Sequence, residues 1–515
     1  LYASGVSEEA QREALPTWVL SLVSGLAVLA LAAYSAWQRW QALSVSPFPL
    51  GVDGYFYPVQ VRALIENHSL QYPSSPLTFV FMVPFALATD PIVGAKLGAA
   101  IGGALIALPA YAVGARLGRS RGAGFVAAVL ASQLASSQYL STEFVKQGFG
   151  LTVAMTAVWL VLRALEKPTN ARIVIALLGF VGAVATHKLA AGLVVLVAVP
   201  GMIEEMRGRG TLRGRRLLYL LVGLAIVGGT LLLLGLLMPQ RFLGERDVLL
   251  VRELVQAEPD WDLPALALPG YRLVFHQEAL IGGIAALVAF AAVIAIPYRN
   301  AYGPRIVAWI SIVLALAIAV PWLAVDDPQG LGFRLRLAAH VPAALCAAVA
   351  IGAFGSLIKD RLEALLRDAI LLVGAAILLV VLPIDRAEGR VLAHPALVTS
   401  TMAAAKQLPE NATVIVPERH ILFMVAYYTR AKVSLRPETV PPQDRVRMMP
   451  LAFIGMGSPL DRALDAARHE PGITPPLALH PRHRNGLVLV TEATWQWILA
   501  RLGDRGGYWA VWPTI

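Results

Sequence analysis

The chain of 515 residues contains one cysteine, and that scarcity removes disulfides from its architecture. Cys346 sits inside an apolar run, so no intrachain bridge exists and cysteine usage is silent about the redox compartment. Charge is scarce as well. Asp, Glu, Lys and Arg supply 15% of residues against 57% hydrophobic, and mean hydropathy is +0.64. A water-soluble globule carries more charge than this, so lipid is the solvent for much of the chain. The formal charge of +10 would suit nucleic acid, but much of the Lys and Arg lies in short connections between apolar runs, where membrane orientation explains it; no nucleic-acid partner is expected. Residues 1–16 are polar and lack the basic start of a signal peptide, which predicts a retained first span with a cytoplasmic N-terminus.

What is present is a series of apolar runs. With roughly 20 residues required per crossing, the sequence predicts a polytopic α-helical membrane protein of about eleven spans. They fall near 17–36, 94–114, 122–138, 148–165, 171–186, 189–204, 217–238, 278–297, 306–324, 335–357 and 368–384. Alternate connections are basic: Arg116, Arg119 and Arg121; Lys167 and Arg172; the arginines of 207–216; Arg299 and Arg305; Lys359, Arg361 and Arg367. The positive-inside rule makes these cytoplasmic. The other connections, 37–93, 139–147, the tight turn Thr186-His187-Lys188, 239–277 and 325–334, then share the outer side with the C-terminal segment 386–515. This parity requires "SPLTFVFMVPFAL" (76–88) to re-enter or lie at the interface, and its length suits that.

Ionisable groups of both signs converge on that outer side. The first loop, "GVDGYFYPVQVRALIENHSL", holds Asp53, Arg62, Glu66 and His68; "SSQYLSTEFVKQGFG" holds Glu143 and Lys146; "DDPQGLGFRLR" holds Arg334 and Arg336. A centrally placed charge costs on the order of 2.5–3.5 kcal/mol on insertion scales, so such groups commonly line a cavity. Anchoring of helix ends at headgroups is the competing explanation for each.

From Ala412 the pattern changes to short β-branched runs alternating with amphipathic stretches: "TVIVP", "RHILFMVAYYTRA", "KVSL", "LDRALDAARH", "GLVLV", "EATWQWILARLG" and "YWAVW". This predicts a soluble α/β domain over 386–515 with a largely parallel sheet. It contains no glycine-rich phosphate turn, no metal-spaced set and no nucleophile beside a base. His480 and His483 in "LHPRHRNG" read as a solvated basic loop. Acceptor recognition, partner contact or lid duty is left for this domain.

The order of these features resembles the membrane glycosyltransferases of the GT-C fold, in particular the branch of protein O-mannosyltransferases and the lipid A aminoarabinose transferase. The likeness runs over most of 17–430: an outer loop opening with an acid, "GVDGYFYPVQ"; a Pro-containing interfacial helix, "PSSPLTFVFMVPFALATDP"; a second acidic outer loop, "STEFVKQG"; a Thr/Lys turn, "ATHKLAAG"; an Arg-led helix, "GFRLRLAAHVPAALC"; and an outer domain opening "LPENATVIVPERH". Two features depart from the pattern. The first loop reads D-G-Y rather than a paired-acid D-x-D, and no W-W-D-Y-G occurs, which argues against an oligosaccharyltransferase reading N-x-S/T acceptors.

The resemblance implies a polyprenyl-phosphate-linked sugar donor, an acceptor protein, lipid or glycan, and a site on the outer face of a bacterial inner membrane. It carries the catalytic acid onto Asp53 as general base, against an N-cap of the following helix. Glu143 would assist acceptor binding, or complete a divalent-cation site (Mg or Mn) with Asp53. Lys188, then Arg334 and Arg336, would bind the donor phosphate. Arg62 and His187 are possible substrate contacts, as are Tyr55 and Tyr57, for which an aromatic belt is the alternative. An amphipathic piece near 246–256 in the loop 239–277 would serve as a lid. A non-catalytic assembly subunit of a membrane complex and a lipid-linked-sugar transporter remain alternatives; no internal repeat in the hydropathy supports the transporter.

Overall fold

The computed structural model describes residues 17–51, 53–208, 211–237, 271–296, 302–319, 331–357, 361–381, 394–409, 411–450, 454, 457–479 and 486–503. The proposed lid at 246–256, His480, His483 and "YWAVW" at 508–512 lie outside the described residues. In chain order the helices are α1 (Thr17–Leu43), α2 (Phe56–Asn67), α3 (Leu77–Ala88), α4 (Pro91–Ala104), α5 (Ala107–Leu117), α6 (Arg121–Gln133), α7 (Ala135–Thr142), α8 (Val145–Glu166), α9 (Asn170–Thr186), α10 (Lys188–Gly208), α11 (Thr211–Leu237), α12 (Tyr271–Ala295), α13 (Tyr302–Ala319), α14 (Leu331–Leu337), α15 (His340–Gly355), α16 (Arg361–Val381), α17 (Pro395–Ala405), α18 (Arg419–Thr429), α19 (Pro459–His469) and α20 (Glu492–Leu502). The strands are β1 (Thr413–Ile415), β2 (Lys432–Ser434), β3 (Arg445–Pro450), β4 (Leu477–Leu479) and β5 (Leu487–Thr491). Two compact units result. One holds Leu1–Ala42, Pro73–Thr78 and Ala99–Ala387; the other holds Leu43–Tyr72, Phe79–Gly98 and Glu388–Ile515.

The first unit is a helical bundle built on small residues. Ala123, Ala127, Ala154, Ala157, Ala164 and Ala176 are fully buried beside Leu117, Leu162 and Leu165. Without a hydrophobic drive between helices in lipid, close backbone approach must supply the attraction. A Cβ added to Gly124 would fall 2.7 Å from that of Ala115, so α5 and α6 meet where a side chain has no room. Outer faces are apolar: Leu366, Ile370, Val373 and Ile377 form an exposed stripe at helical spacing along α16. Such a stripe is costly in water and is the lipid face of a membrane helix. Among the described residues four stretches are long and apolar enough to cross a bilayer: Ser21–Leu43, Pro91–Leu117, Val145–Glu166 and Glu278–Ala295.

Three runs expected as continuous spans are each divided in two. At 94–114 the division lies between α4 and α5, where Pro109 has no N–H for the Leu105 carbonyl and Leu108 N donates to it instead at 3.1 Å. The same substitution separates α14 from α15: Pro342 cannot serve the Ala338 carbonyl, and Val341 N does so at 3.1 Å. At 122–138 the extended residue Leu134 (φ −60°, ψ 146°) separates α6 from the polar helix α7. The turn at Thr186–Lys188 is as tight as expected, with His187 alone between two helices.

Basic connections collect at one end of this bundle. Arg116 Nε lies 2.9 Å from Glu166 Oε1, Arg216 donates to the Pro168 carbonyl at 3.1 Å, and Ser120 bonds Asp368 at 2.7 Å. The 22 residues of α8 lead from that end to Val145, beside Glu143. At 1.5 Å per residue this is about 33 Å, matching a hydrocarbon core of roughly 30 Å.

In the second unit the sheet order is β2-β1-β3-β5-β4, parallel on the β2-β1-β3 side and antiparallel across β3-β5 and β5-β4. The largely parallel sheet expected from sequence is therefore corrected to a mixed one. The missing strand was "RVRMMP", whose arginines mask an otherwise apolar run; Arg447 is buried because it pairs with Glu492 at 3.1 Å. Ser458 caps α19 through the Asp461 N–H, and Leu460, Leu464 and Ala467 pack against Trp495 and Ile498 of α20.

Candidate functional site

In the first unit, Glu143 is the C-cap residue of α7, nearly buried, with its backbone N–H held by the Tyr139 carbonyl at 3.0 Å. Phe144 follows, and α8 begins at Val145. The Arg334 guanidinium sits 5.4 Å above the Phe144 ring, while Gln147 Nε2 donates to the Arg334 carbonyl at 2.8 Å. Thus α14 is fixed against the residues that follow Glu143. Lys146 Nζ donates to Ser74 Oγ at 2.7 Å. His187 borders the next turn of α8: a Cβ on Gly150 would lie 2.9 Å from that of His187. Glu143, Arg334 and His187, far apart in sequence, therefore gather around the first turns of α8. Arg336 is buried on the same short helix as Arg334. Lys188 opens α10, and its side chain lies outside the described residues.

Asp53 belongs to the second unit. Its backbone carbonyl accepts from Phe56 N at 2.9 Å, its side chain is half-buried and its Oδ1 is fully buried. Helix α2 starts at Phe56 with Tyr55 in the cap position, and the Tyr55 side chain makes no capping bond. Tyr55 itself has helical backbone angles (φ −74°, ψ −16°), so the Phe56 bond to the Asp53 carbonyl makes a turn that leads directly into α2.

The remaining residues of that loop build a packed interface between α2 and α18. Tyr55 and Tyr57 are 5% and 6% exposed, within a cluster that includes Phe56, Tyr72, Phe79 and Phe423. The Tyr55 and Tyr428 hydroxyls lie 3.1 Å apart. Burial, then the bond to Tyr428, raises the Tyr55 phenol, and burial pushes Tyr72 and Tyr427 up to about 12. These hydroxyls stay protonated near neutral pH and act as hydrogen-bond partners, not bases. Arg62 donates to the Tyr427 carbonyl, and to that of Ala426 at 3.1 Å, while stacking 4.9 Å from the Tyr427 ring. It caps the C-terminal turn of α18, where carbonyls lack helical partners. Glu66 adds a 2.9 Å pair to Arg430. Arg62→Ala is expected to destabilise this unit by about 2 kcal/mol, the scale of lost charge-assisted bonds. Faster hydrogen exchange in α18, recovered only in part by Arg62→Lys, is the readout; unchanged exchange would remove the cap from the account.

Sequence reading passed over Arg39, Glu278 and His340, all buried in the first unit. The available signal was a charge or imidazole inside an apolar helix, which costs too much to be incidental.

A divalent cation held by Asp53 and Glu143 was one alternative to transfer without a metal. Among the described residues no group of three or more His, Cys, Asp or Glu side chains stands together as a metal site, and a hard cation needs about six oxygen ligands. Asp53 and Glu143 by themselves supply too few ligands for such an ion.

The fold is that of the GT-C membrane glycosyltransferases. ArnT from Cupriavidus metallidurans, solved bound to undecaprenyl phosphate, is similar at a TM-score of 0.51 and 15% identity, over 92% of this chain and 98% of that one. The Archaeoglobus fulgidus oligosaccharyltransferase in complex with Zn and sulfate gives a TM-score of 0.51 at 14% identity, over 90% of this chain and 73% of the other. AglB from the same organism, in complex with an inhibitory peptide and a dolichol-phosphate, gives 0.50 at 12% identity over 83% and 69%. No family model and no curated protein sequence matches, so backbone architecture alone carries the likeness.

Proposed function

We propose that the chain is an integral membrane glycosyltransferase that moves a sugar from a polyprenyl-phosphate donor to an acceptor hydroxyl or amine on the outer face of a bacterial inner membrane. The observation that carries this reading is the end-to-end likeness to the fold of ArnT, a protein solved with undecaprenyl phosphate bound. The gathering of Glu143, Arg334 and His187 at one end of the bundle, opposite the basic connections, supports it. On this reading there are eleven spans, the basic end is cytoplasmic, and the sheet-bearing segment lies outside.

In the reaction, an acceptor lone pair attacks the anomeric carbon as the bond from that carbon to the phosphate oxygen breaks. Asp53 takes the acceptor proton, and the polyprenyl phosphate leaves with the electron pair. Lys188, Arg334 and Arg336 balance the phosphate charge, and Glu143 orients the acceptor. The buried tyrosines and Arg62 hold the loop that bears Asp53.

The test is reconstitution in phosphatidylethanolamine/phosphatidylglycerol liposomes containing undecaprenyl-phosphate-linked mannose or aminoarabinose. Free undecaprenyl phosphate is measured with a Ser/Thr peptide or lipid A as acceptor. Protein-dependent release is expected with one donor. Movement of intact donor between leaflets without release would replace transfer by transport.

A further inference from the structure

The short helix α7 is an unusual element to find inside a bundle. Its eight residues, "ASSQYLST", combine serine and threonine with low helix propensity at a length that does not hold a helix by itself. Two charged side chains hold it. At its N-terminus, Glu278 accepts from Ala135 N at 2.6 Å and Ser136 N at 3.0 Å, satisfying orphan donors with an anion at the favourable end of the dipole. Along its side runs Arg39 of α1. Arg39 Nε donates to Ser141 Oγ at 2.9 Å, Nη2 to Ser137 Oγ and the Ser132 carbonyl at 2.9 Å each, and Nη1 to the Ser35 hydroxyl and carbonyl. Every guanidinium N–H is thus directed at a neutral oxygen, and the three bonds to Ser132, Ser137 and Ser141 fix α1, α6 and α7 together. His340 completes the enclosure, its Nδ1 donating to the Leu337 carbonyl at 2.9 Å and lying 3.3 Å from Ser136 Oγ. Room for the central bond is reserved by Gly103 of α4, whose added Cβ would fall 2.2 Å from Ser141 Oγ.

A bundle gains nothing in packing from a buried cation and a buried anion that leave apolar groups of equal volume unused. Their common object is the placement of α7, and α7 ends on Glu143. We infer that Arg39 and Glu278 are positioning residues that clamp α7 so that its C-cap carboxylate, Glu143, is held at the transfer site. This inference rests on the reading of Glu143 given above. Arg39 acts through a planar fork that reaches Ser137 and Ser141, one turn apart on the same face of α7, and a lysine ammonium cannot span both.

The experiment uses the full chain in the liposome assay, with release of undecaprenyl phosphate as the rate and amide hydrogen exchange as the structural readout. Arg39→Lys is expected to slow release at least tenfold with the apparent affinity for the lipid-linked donor unchanged, and to accelerate exchange across 135–143 while α8 and α9 keep wild-type protection. Gly103→Ala, which forces the Ser141 hydroxyl off its bond, should do the same to a smaller degree and covers the case in which Arg39→Lys fails to assemble. Combining either with Glu143→Gln should give no further loss, because both act through one group. Losses that multiply, wild-type rates in both clamp variants, or exchange that rises throughout the bundle overturn the inference. A Glu143→Gln chain at full rate, in contrast, removes Glu143 from the site and takes the positioning role with it, an outcome distinct from slow Glu143→Gln beside unaffected clamp variants.

Discussion

Asp53→Asn is expected to slow release of undecaprenyl phosphate by about 10²- to 10⁴-fold, the range contributed by a positioned general base. The amide has nearly the shape of the acid, but it does not take a proton from an attacking hydroxyl. The local fold makes this substitution unusually informative. The bond that leads into α2 is accepted from Phe56 N by the Asp53 backbone carbonyl, which the substitution keeps. Interface contacts of α2, from the Tyr55–Tyr428 hydroxyl pair to the Arg62 cap on α18, also lie downstream of it. Melting temperature and donor affinity should therefore stay near wild type while the rate falls. A carboxamide chain with normal turnover would rule out Asp53 as the base, and a chain that unfolds would give the residue back to structure.

Glu492→Ala is expected to cost the second unit about 3–5 kcal/mol, the scale for removing one partner of a buried ion pair. Arg447 is 5% exposed, its guanidinium lies 3.1 Å from Glu492 Oε2 and 5.1 Å from the Trp495 ring, and Arg445 approaches the same carboxylate at 3.4 Å. Loss of the acid leaves a cation enclosed between β3 and α20. Replacing both partners, Arg447→Met with Glu492→Leu, should recover much of the loss, since an apolar pair has no charge to desolvate. The pair also sets a pH dependence. Burial by itself would raise the Glu492 carboxyl, but bonds from Gln496 and Arg447 and the charges of Arg447 and Arg445 outweigh it and hold the group below its usual range. A depressed folded value means that the contribution is complete above the unfolded value of about 4.3 and is lost as pH falls through the folded one. Stability of β3 and α20 to hydrogen exchange should hold from neutral pH to about 5 and then fall. Glu492→Gln should flatten that fall; an unchanged acid profile would place the linkage elsewhere.

Some of the fold was legible because lipid imposes simple rules. Span-length apolar runs, the alternation of basic connections and the one-residue turn at His187 follow from hydropathy and charge, and the structure keeps Arg116, Glu166, Pro168 and Arg216 at one end of the bundle. The divided spans were also written in the chain, at Pro109 and Pro342, whose missing N–H groups hand the preceding carbonyls to a neighbour. A hydropathy window averages over such positions and so does not register them. Strand β3 was illegible for another reason. Arg445 and Arg447 look like a solvated edge until Glu492, 45 residues on, is folded beside them.

The candidate site divides in the same way. Residue types and their order single out Asp53, Glu143 and Arg334, because charges at the ends of apolar runs are expensive and therefore few. Sequence does not distinguish a charge that meets substrate from one that meets backbone. Arg62 and Arg334 look alike in the chain, yet the first caps α18 through the Ala426 and Tyr427 carbonyls while the second lies over Phe144, next to Glu143. Arg39 is the clearest case. Three of its five donors find oxygens on Ser132, Ser137 and Ser141, about a hundred positions away, and only the packing of α1, α6 and α7 brings those oxygens within reach. Composition and the spacing of charge determined by themselves that this protein is a membrane protein of many apolar helices. Which charges meet backbone, which meet each other and which lie beside Glu143 was decided by tertiary structure, because a buried charge is governed by the partners that folding brings to it.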